Sequence, residues 1–341
     1  MPPTDPLGVE TTIPSHPATP LVPRTVLPRR CSAQLLWLAA ANLGVLVLLA
    51  LRLRDQARPT TATATTLDRV LNSGVLRVGV TGDYPPFAMR CLGADHASSP
   101  ADHAGVVGSD IDEAAALARS LDARLELVTT TWSELEDALL AASFDVGVGG
   151  ISDTLQRRRA AAFSLPYLAD DGKVLVARCG SPLLALDSWA ALRAAPSLLG
   201  ALAVNPGGTN EQSIRAELPL ARVVLVEANG EQFGLVARGQ ADATVTDRVE
   251  AQLREGGLCH GPLLQPGRKA YMLPRDDLVW ARYVDGWLQG RLESGAANAS
   301  LRRWLGLWRN SSLPVDVHVD AGDAGTEECA LLQSRAARRD G

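Results

Sequence analysis

The chain has 341 residues, 46% of them apolar, which is enough for about two domains with real cores. Aromatics are only 4%, so those cores must be built mainly of Ala, Leu and Val. A net charge of −5, with no Lys/Arg block in the folded region, argues against a nucleic-acid partner, since phosphate binding needs concentrated positive charge.

Residues 1–30 are rich in Pro and Thr and are expected to be disordered. Leu35 to Leu51 is an apolar run of 17 residues, preceded by Arg29 and Arg30 and followed by Arg52 and Arg54. It reads either as a secretory signal with a long basic leader or as an uncleaved membrane anchor. Arginines on both flanks leave its orientation undecided. The small-x-small triplet Ala62-Thr63-Ala64 lies far from the run, which favours the anchor. Either reading exports the bulk of the chain. No cysteine ends the run as a lipobox requires. Residues 52–66 read as a linker.

Structure is expected from residue 67 onward. Leu76–Val80 reads as a strand, ended by Gly82-Asp83 and Pro85-Pro86. Cys91–Val107 reads as a polar excursion. Asp110–Leu121 reads as a helix, with Asp110 and Glu113 at capping-box spacing and Ile111, Ala115, Ala118 and Leu121 on one face. A strand over Leu125–Val128, a helix over Trp132–Ala142 led by Thr131 and Glu134, and a buried strand over Asp145–Gly149 follow. Lys173–Ala177 reads as a strand crossing between lobes. The alternation then restarts: strands over Gly200–Val204, Val223–Val226 and Ala243–Thr246, each followed by a helix (Asn210–Glu217, Glu231–Arg238, Arg248–Arg254). Lys269–Leu273 reads as a returning strand, and Leu278–Leu292 and Ala297–Leu305 as helices. This order predicts an α/β fold with mostly parallel sheets, in two lobes joined by two crossings, with a ligand cleft between them. The first lobe takes residues 67–176 and 274–310, the second 177–273. Residues 311–341 read as a disordered tail.

Three stretches could carry chemistry. Asn205-Pro206-Gly207-Gly208-Thr209-Asn210-Glu211 follows a strand and opens a helix, which suits a carboxylate seat; without a following GK[ST] it is no phosphate loop. The alternative is a plain turn. Gln156-Arg157-Arg158-Arg159 could aim one arginine at a carboxylate, or be a solvated basic turn. Asp247 sits at the C-terminal edge of a strand, where such sheets bind ligands, but could simply cap the next helix. The five cysteines form no CxxC or Cys/His cluster, so no metal site is expected.

Leu67–Tyr84, Gly150–Tyr167 and Ala243–Glu250 resemble the family-3 bacterial solute-binding proteins. That resemblance implies the type II periplasmic-binding-protein fold over about residues 67–305, preceded here by an N-terminal hydrophobic signal or anchor helix. It also implies an extracytoplasmic location and a small ligand. Within that family, VTGDYPPF (Val80–Phe87), VNPGGTNE (Val204–Glu211), TDRVEAQL (Thr246–Leu253), KAYMLPRD (Lys269–Asp276) and RYVDGWL (Arg282–Leu288) look like the cyclohexadienyl dehydratases. Such enzymes convert prephenate to phenylpyruvate, or arogenate to phenylalanine, without metal or organic cofactor. The resemblance places Arg157, Gly208 and Thr209 on a ligand carboxylate and Asp247 on a ligand ammonium. It puts Tyr84 and Trp132 on the cleft wall, Ser152 and Thr154 near the ligand, and Glu211 as general acid. Ser109 and Thr154 depart from the family pattern, the latter standing where a dehydratase more often shows Asn. The competing reading is a non-catalytic amino-acid-binding protein of an ABC-type uptake system. Cys179 and Cys259, both assigned to the second lobe, are the expected pair if a disulfide forms.

Overall fold

The computed structural model describes residues 64–90, 105–253 and 256–309. The expectations for the N-terminal segment, the apolar run at 35–51, most of the excursion after Cys91, and the tail from 311 concern residues outside these. Among the described residues no helix is long and apolar enough to cross a membrane.

Helix α1 (Thr66–Ser73) opens the fold at the last residue of what reads as linker. Its sequence signal is a capping box, in which the Thr65 hydroxyl accepts from Asp68 N and the Asp68 side chain accepts from Thr65 N. Strands β1 (Val75–Val80), β2 (Asp83–Tyr84), β3 (Ala88–Arg90) and β4 (Val106–Val107) follow. Then come α2 (Ser109–Ser120), β5 (Arg124–Thr129), α3 (Leu135–Leu140), β6 (Val146–Gly147) and β7 (Ala161–Phe163). β8 (Leu168–Arg178), α4 (Trp189–Ala194), β9 (Ala201–Val204), α5 (Thr209–Glu217) and β10 (Arg222–Leu225) begin the second lobe. α6 (Glu231–Ala237), β11 (Ala243–Asp247), α7 (Arg248–Ala251) and β12 (Leu258–Lys269) complete it, before β13 (Met272–Pro274), α8 (Leu278–Glu293) and α9 (Ala296–Arg309) return to the first.

Two five-stranded sheets result, ordered β5-β1-β6-β13-β7 and β10-β9-β11-β8-β12, with a small β2-β3-β4 sheet beside the first. β1 pairs in parallel with β5 and β6, and β9 with β10 and β11. The strands around the crossings, β8, β12, β13 and β7, pair antiparallel. The chain changes sheet between Phe163 and Leu168, and again between Lys269 and Met272. β12 carries Pro262, Gly261, Pro266 and Gly267, residues that weaken a strand reading, and its ladder with β8 slips in register at three places. Leu, Val and Ala dominate the two cores: Leu76, Val78, Leu117 and Val146 in one, Leu175, Leu202, Val204 and Val245 in the other. Cys179 and Cys259 are disulfide-bonded, with Cα atoms 4.9 Å apart, and join β8 to β12.

One local expectation is corrected. Asp110 and Glu113 do not form a capping box: α2 begins after Gly108, with no side-chain cap. Tertiary partners take both carboxylates instead. Asp110 Oδ2 accepts from Gly149 N (2.8 Å), Gly150 N (2.9 Å) and the Tyr167 hydroxyl (2.7 Å), while Glu113 takes both arms of Arg291. Thr131 and Glu134 do exchange bonds, ahead of a helix that starts at Leu135.

Candidate active site

The strands β1, β6, β9 and β11 run in one sense within each sheet, so their C-terminal ends bring loops to the cleft. β1 delivers Asp83 and Tyr84, β6 the Gly149-Gly150-Ile151-Ser152 turn, β9 the Asn205–Asn210 turn, and β11 Asp247. β8 and β12, beside the crossings, add Lys173 and Lys269. The outer cleft, about 410 Å³, has Asp83, Arg90 and Trp132 on one wall and Asn205, Pro206 and Glu227 on the other. A small inner chamber below it is lined by Tyr84, Trp132, Ser152, Thr209, Asp247 and Lys269, among others.

The lobes are in contact across this cleft. Asn229 Nδ2 donates to the Asp83 carbonyl (3.0 Å), and the Tyr84 hydroxyl donates to Asp247 Oδ2 (2.9 Å). Gly207 lies so near Ser133 that an added Cβ would come within 2.9 Å of the serine Cβ. Gly150 is equally constrained: its φ is +74°, and a Cβ there would meet the Phe87 and Tyr84 rings.

Asp247 does not cap α7. It is only 5% exposed, and its carboxylate turns into the cleft, where Oδ1 accepts from Lys173 Nζ (2.8 Å) and Oδ2 from Lys269 Nζ (2.5 Å). The Asp171 carboxylate serves α7 instead, accepting from Val249 N (3.1 Å). Burial pushes the Asp247 carboxyl up, but the two ammonium groups outweigh it and hold Asp247 below the ordinary carboxylate range. Burial lowers Lys173, against the pull of Asp247. Lys173 Nζ also donates to Thr209 Oγ1 (2.9 Å) and Asn210 Oδ1 (2.5 Å), and Lys269 Nζ to Ser152 Oγ (3.0 Å).

The remaining expected residues are spread more widely. Gly208, Thr209, Ser152, Tyr84 and Trp132 all line the chamber. Arg157 is buried below Trp132, its guanidinium 6.0 Å from the ring, with Nε on Glu136 (3.3 Å) and Nη1 on the Ser152 carbonyl (3.3 Å). Thr154 Oγ1 accepts from Arg157 N (3.2 Å). Glu211 is turned onto its own helix, with Oε2 on Gly207 N (2.8 Å) and Oε1 on Arg215 Nε (2.7 Å).

Sequence reasoning missed Lys173, Lys269, Asp171, Asn229 and Asp83. Lys269 opens the KAYMLPRD run, and Lys173 directly precedes the apolar run Val174–Ala177, two residues after Asp171. A charge inside a buried strand demands a partner, and that demand was the available signal. Asp83 holds Trp132 Nε1 with both oxygens (3.1 Å each), and burial raises its carboxyl above the ordinary range.

Two α/β lobes joined by two crossings, with polar residues gathered at strand ends in the cleft between, define a ligand-closing protein of the periplasmic-binding-protein type. The chain belongs to the bacterial extracellular solute-binding proteins, family 3, whose family model matches residues 76–307. It is 39% identical over 245 residues, 70% of this chain and 85% of the relative, to a cyclohexadienyl dehydratase of Pseudomonas aeruginosa. It is 24% identical over 186 residues to the L-cystine-binding protein TcyJ of Escherichia coli K12, covering 54% of this chain and 63% of that one. Among solved structures, the ancestral amino acid-binding protein AncCDT-1, a precursor of cyclohexadienyl dehydratase, superposes with a TM-score of 0.60 at 28% identity. That match covers 71% of this chain and all of the other.

Proposed function

We propose that the chain is a cyclohexadienyl dehydratase acting outside the cytoplasm on prephenate, arogenate or both. The observation that carries this reading is the 39% identity to the Pseudomonas aeruginosa dehydratase across 85% of that protein. The geometry is compatible with it. The substrate ring bears a carboxylate at one carbon and a hydroxyl at the opposite one. A proton delivered to the hydroxyl turns it into water; the C–O bond then breaks. The C–C bond to the carboxylate supplies its electron pair to the ring, carbon dioxide leaves, and the ring becomes aromatic. One acid and a shaped, water-poor chamber suffice.

In this reading the amides at the start of α5, which have no side-chain cap, seat a carboxylate together with Gly208 and Thr209, helped by the positive end of the helix. Tyr84 and Trp132 wall the ring. Arg157 takes a second carboxylate by exchanging its Glu136 and Ser152 contacts, and Thr154 positions it. Glu211 is the general acid, released from Gly207 N and Arg215 when substrate enters. The Cys179–Cys259 bond suits an oxidising compartment, and residues 35–51 either tether the domain to a membrane or direct its export.

The test is prephenate turnover, followed as phenylpyruvate, for the parent, Glu211→Gln and Asp83→Asn. The expected result is a fall of about 10²–10⁴ in kcat for Glu211→Gln, with Asp83→Asn far less affected. Loss confined to Asp83→Asn assigns the acid to the other wall of the cleft. A parent that turns over neither prephenate nor arogenate, yet binds amino acids, overturns the enzyme reading in favour of a binding protein.

A further inference from the structure

We propose that Lys173 and Lys269 are specificity-determining residues that select a ligand without an ammonium group, so that the chamber favours prephenate over arogenate; this rests on the dehydratase reading above. The two substrates differ at one side-chain carbon, a ketone in prephenate and a protonated amine in arogenate. An ammonium needs carboxylate or neutral oxygen acceptors, and it needs distance from other cations.

Asp247 is the carboxylate that lines the inner chamber, and both its oxygens are taken. Oδ1 holds Lys173 at 2.8 Å; Oδ2 holds Lys269 at 2.5 Å and the Tyr84 hydroxyl at 2.9 Å. Three of the hydroxyl and amide oxygens in the chamber are engaged as well: Thr209 Oγ1 and Asn210 Oδ1 accept from Lys173, and Ser152 Oγ from Lys269, which leaves the buried Asn205 Oδ1 as a neutral acceptor without a partner. Asp171 is the other carboxylate near the lysines; it is 2% exposed and outside the chamber lining, with Oδ1 on Val249 N and Oδ2, without a hydrogen bond, 3.9 Å from Lys269 Nζ. A substrate ammonium reaching for Asp247 would thus meet two buried ammonium groups already in place. It could bind only by displacing one of them from Asp247, and the displaced lysine, still held by Ser152 and near Asp171 or by Thr209 and Asn210, would remain beside it as a like charge. A ketone oxygen asks for no such exchange. The protein's own lysines occupy the one carboxylate in the chamber lining that could take a ligand's positive charge.

The experiment compares kcat/KM for prephenate and arogenate in the full chain, alongside calorimetric binding of phenylpyruvate and L-phenylalanine. The expected result is a preference of at least about tenfold for prephenate, and tighter binding of phenylpyruvate than of L-phenylalanine. Lys269→Met, which frees Asp247 Oδ2 while Lys173 keeps Oδ1, should move both ratios toward the amine by about tenfold or more. Lys173→Met replaces it as the variant should Lys269→Met not fold. Equal or greater use of arogenate by the parent, or ratios unmoved in a folded lysine variant, overturns the proposal. The binding arm separates the two levels. Absent turnover with phenylpyruvate bound in preference to L-phenylalanine sinks the dehydratase reading and leaves the charge selection standing. Turnover that favours arogenate does the reverse.

Discussion

Asp110 and Asp247 are both buried, and meet opposite fates. Asp110, beneath the Gly149–Gly150 turn, is held by two backbone amides and a tyrosine hydroxyl. Asp247, near the crossings, is held by two ammonium groups. Burial raises the first to about 6, because neutral donors only partly offset the loss of water. Burial pushes the second in the same direction, but the lysines reverse the outcome. The chemical identity of the donor, not depth, decides whether a buried carboxylate is a proton holder or a fixed negative charge. In this cleft the neutral-donor site shapes a glycine turn, and the charged site anchors the crossings to the second lobe.

The contrast breaks most visibly at Asp247. Asp247→Asn leaves Lys173 and Lys269 buried without their shared counter-charge. Removing one member of a buried pair costs about 3–5 kcal/mol, so a large drop in the denaturation midpoint is expected at pH 7. In the parent, the stability from Asp247 is full above its unfolded value and is lost only as pH falls through its depressed folded value. Between pH 4 and 6 its contribution is therefore flat.

Asp110 behaves the other way in that window. Its folded value, about 6, lies above the ordinary 3.8, so the native state binds the extra proton and stability falls as pH rises from about 4 to about 6. The shift of roughly two units corresponds to about 3 kcal/mol. Asp83 and Asp171 are also raised by burial and add to the slope in the same sense. The difference between parent and Asp110→Asn isolates the one group. Relative to Asp110→Asn, the parent should lose about 3 kcal/mol across that window and hold level above it. Urea titrations at several pH values measure it; a difference that does not change with pH refutes the assignment.

The sequence carried the alternation of strands and helices well, because period-2 and period-3.6 patterns in Leu, Val and Ala report local structure directly. It carried the crossings poorly. β8 runs Leu168–Arg178, beyond the expected Lys173–Ala177, since its early residues are polar. β12 hides behind its prolines and glycines. In the site, Gly208, Thr209 and Asp247 stood out because each sits at a strand end or in a glycine turn. Lys173 and Lys269 did not: what makes them part of the site is Asp247, 74 and 22 residues away, and no local pattern encodes that pairing. Asp110 was read as a cap because spacing is local; its amide donors lie 39 and 40 residues on.

The smallest expected effect tests how the two lobes meet. Gly207 has φ +78°, a conformation that costs a side-chain-bearing residue about 1–2 kcal/mol. An added Cβ would also press on Ser133 Cβ, Cα and N, at 2.9–3.1 Å, across the cleft. Gly207→Ala should therefore do two separable things. The backbone cost is local to the second lobe and should appear as a stability loss of about 1 kcal/mol whatever stands at position 133. The clash opposes closure, so KM for prephenate should rise several-fold, with kcat falling less. Ser133→Gly removes the Cβ opposite but leaves the backbone in place. The double variant should regain part of the lost KM and none of the lost stability. If Ser133→Gly restores nothing, the Gly207 turn matters through its own conformation alone, and closure tolerates a methyl group at this contact.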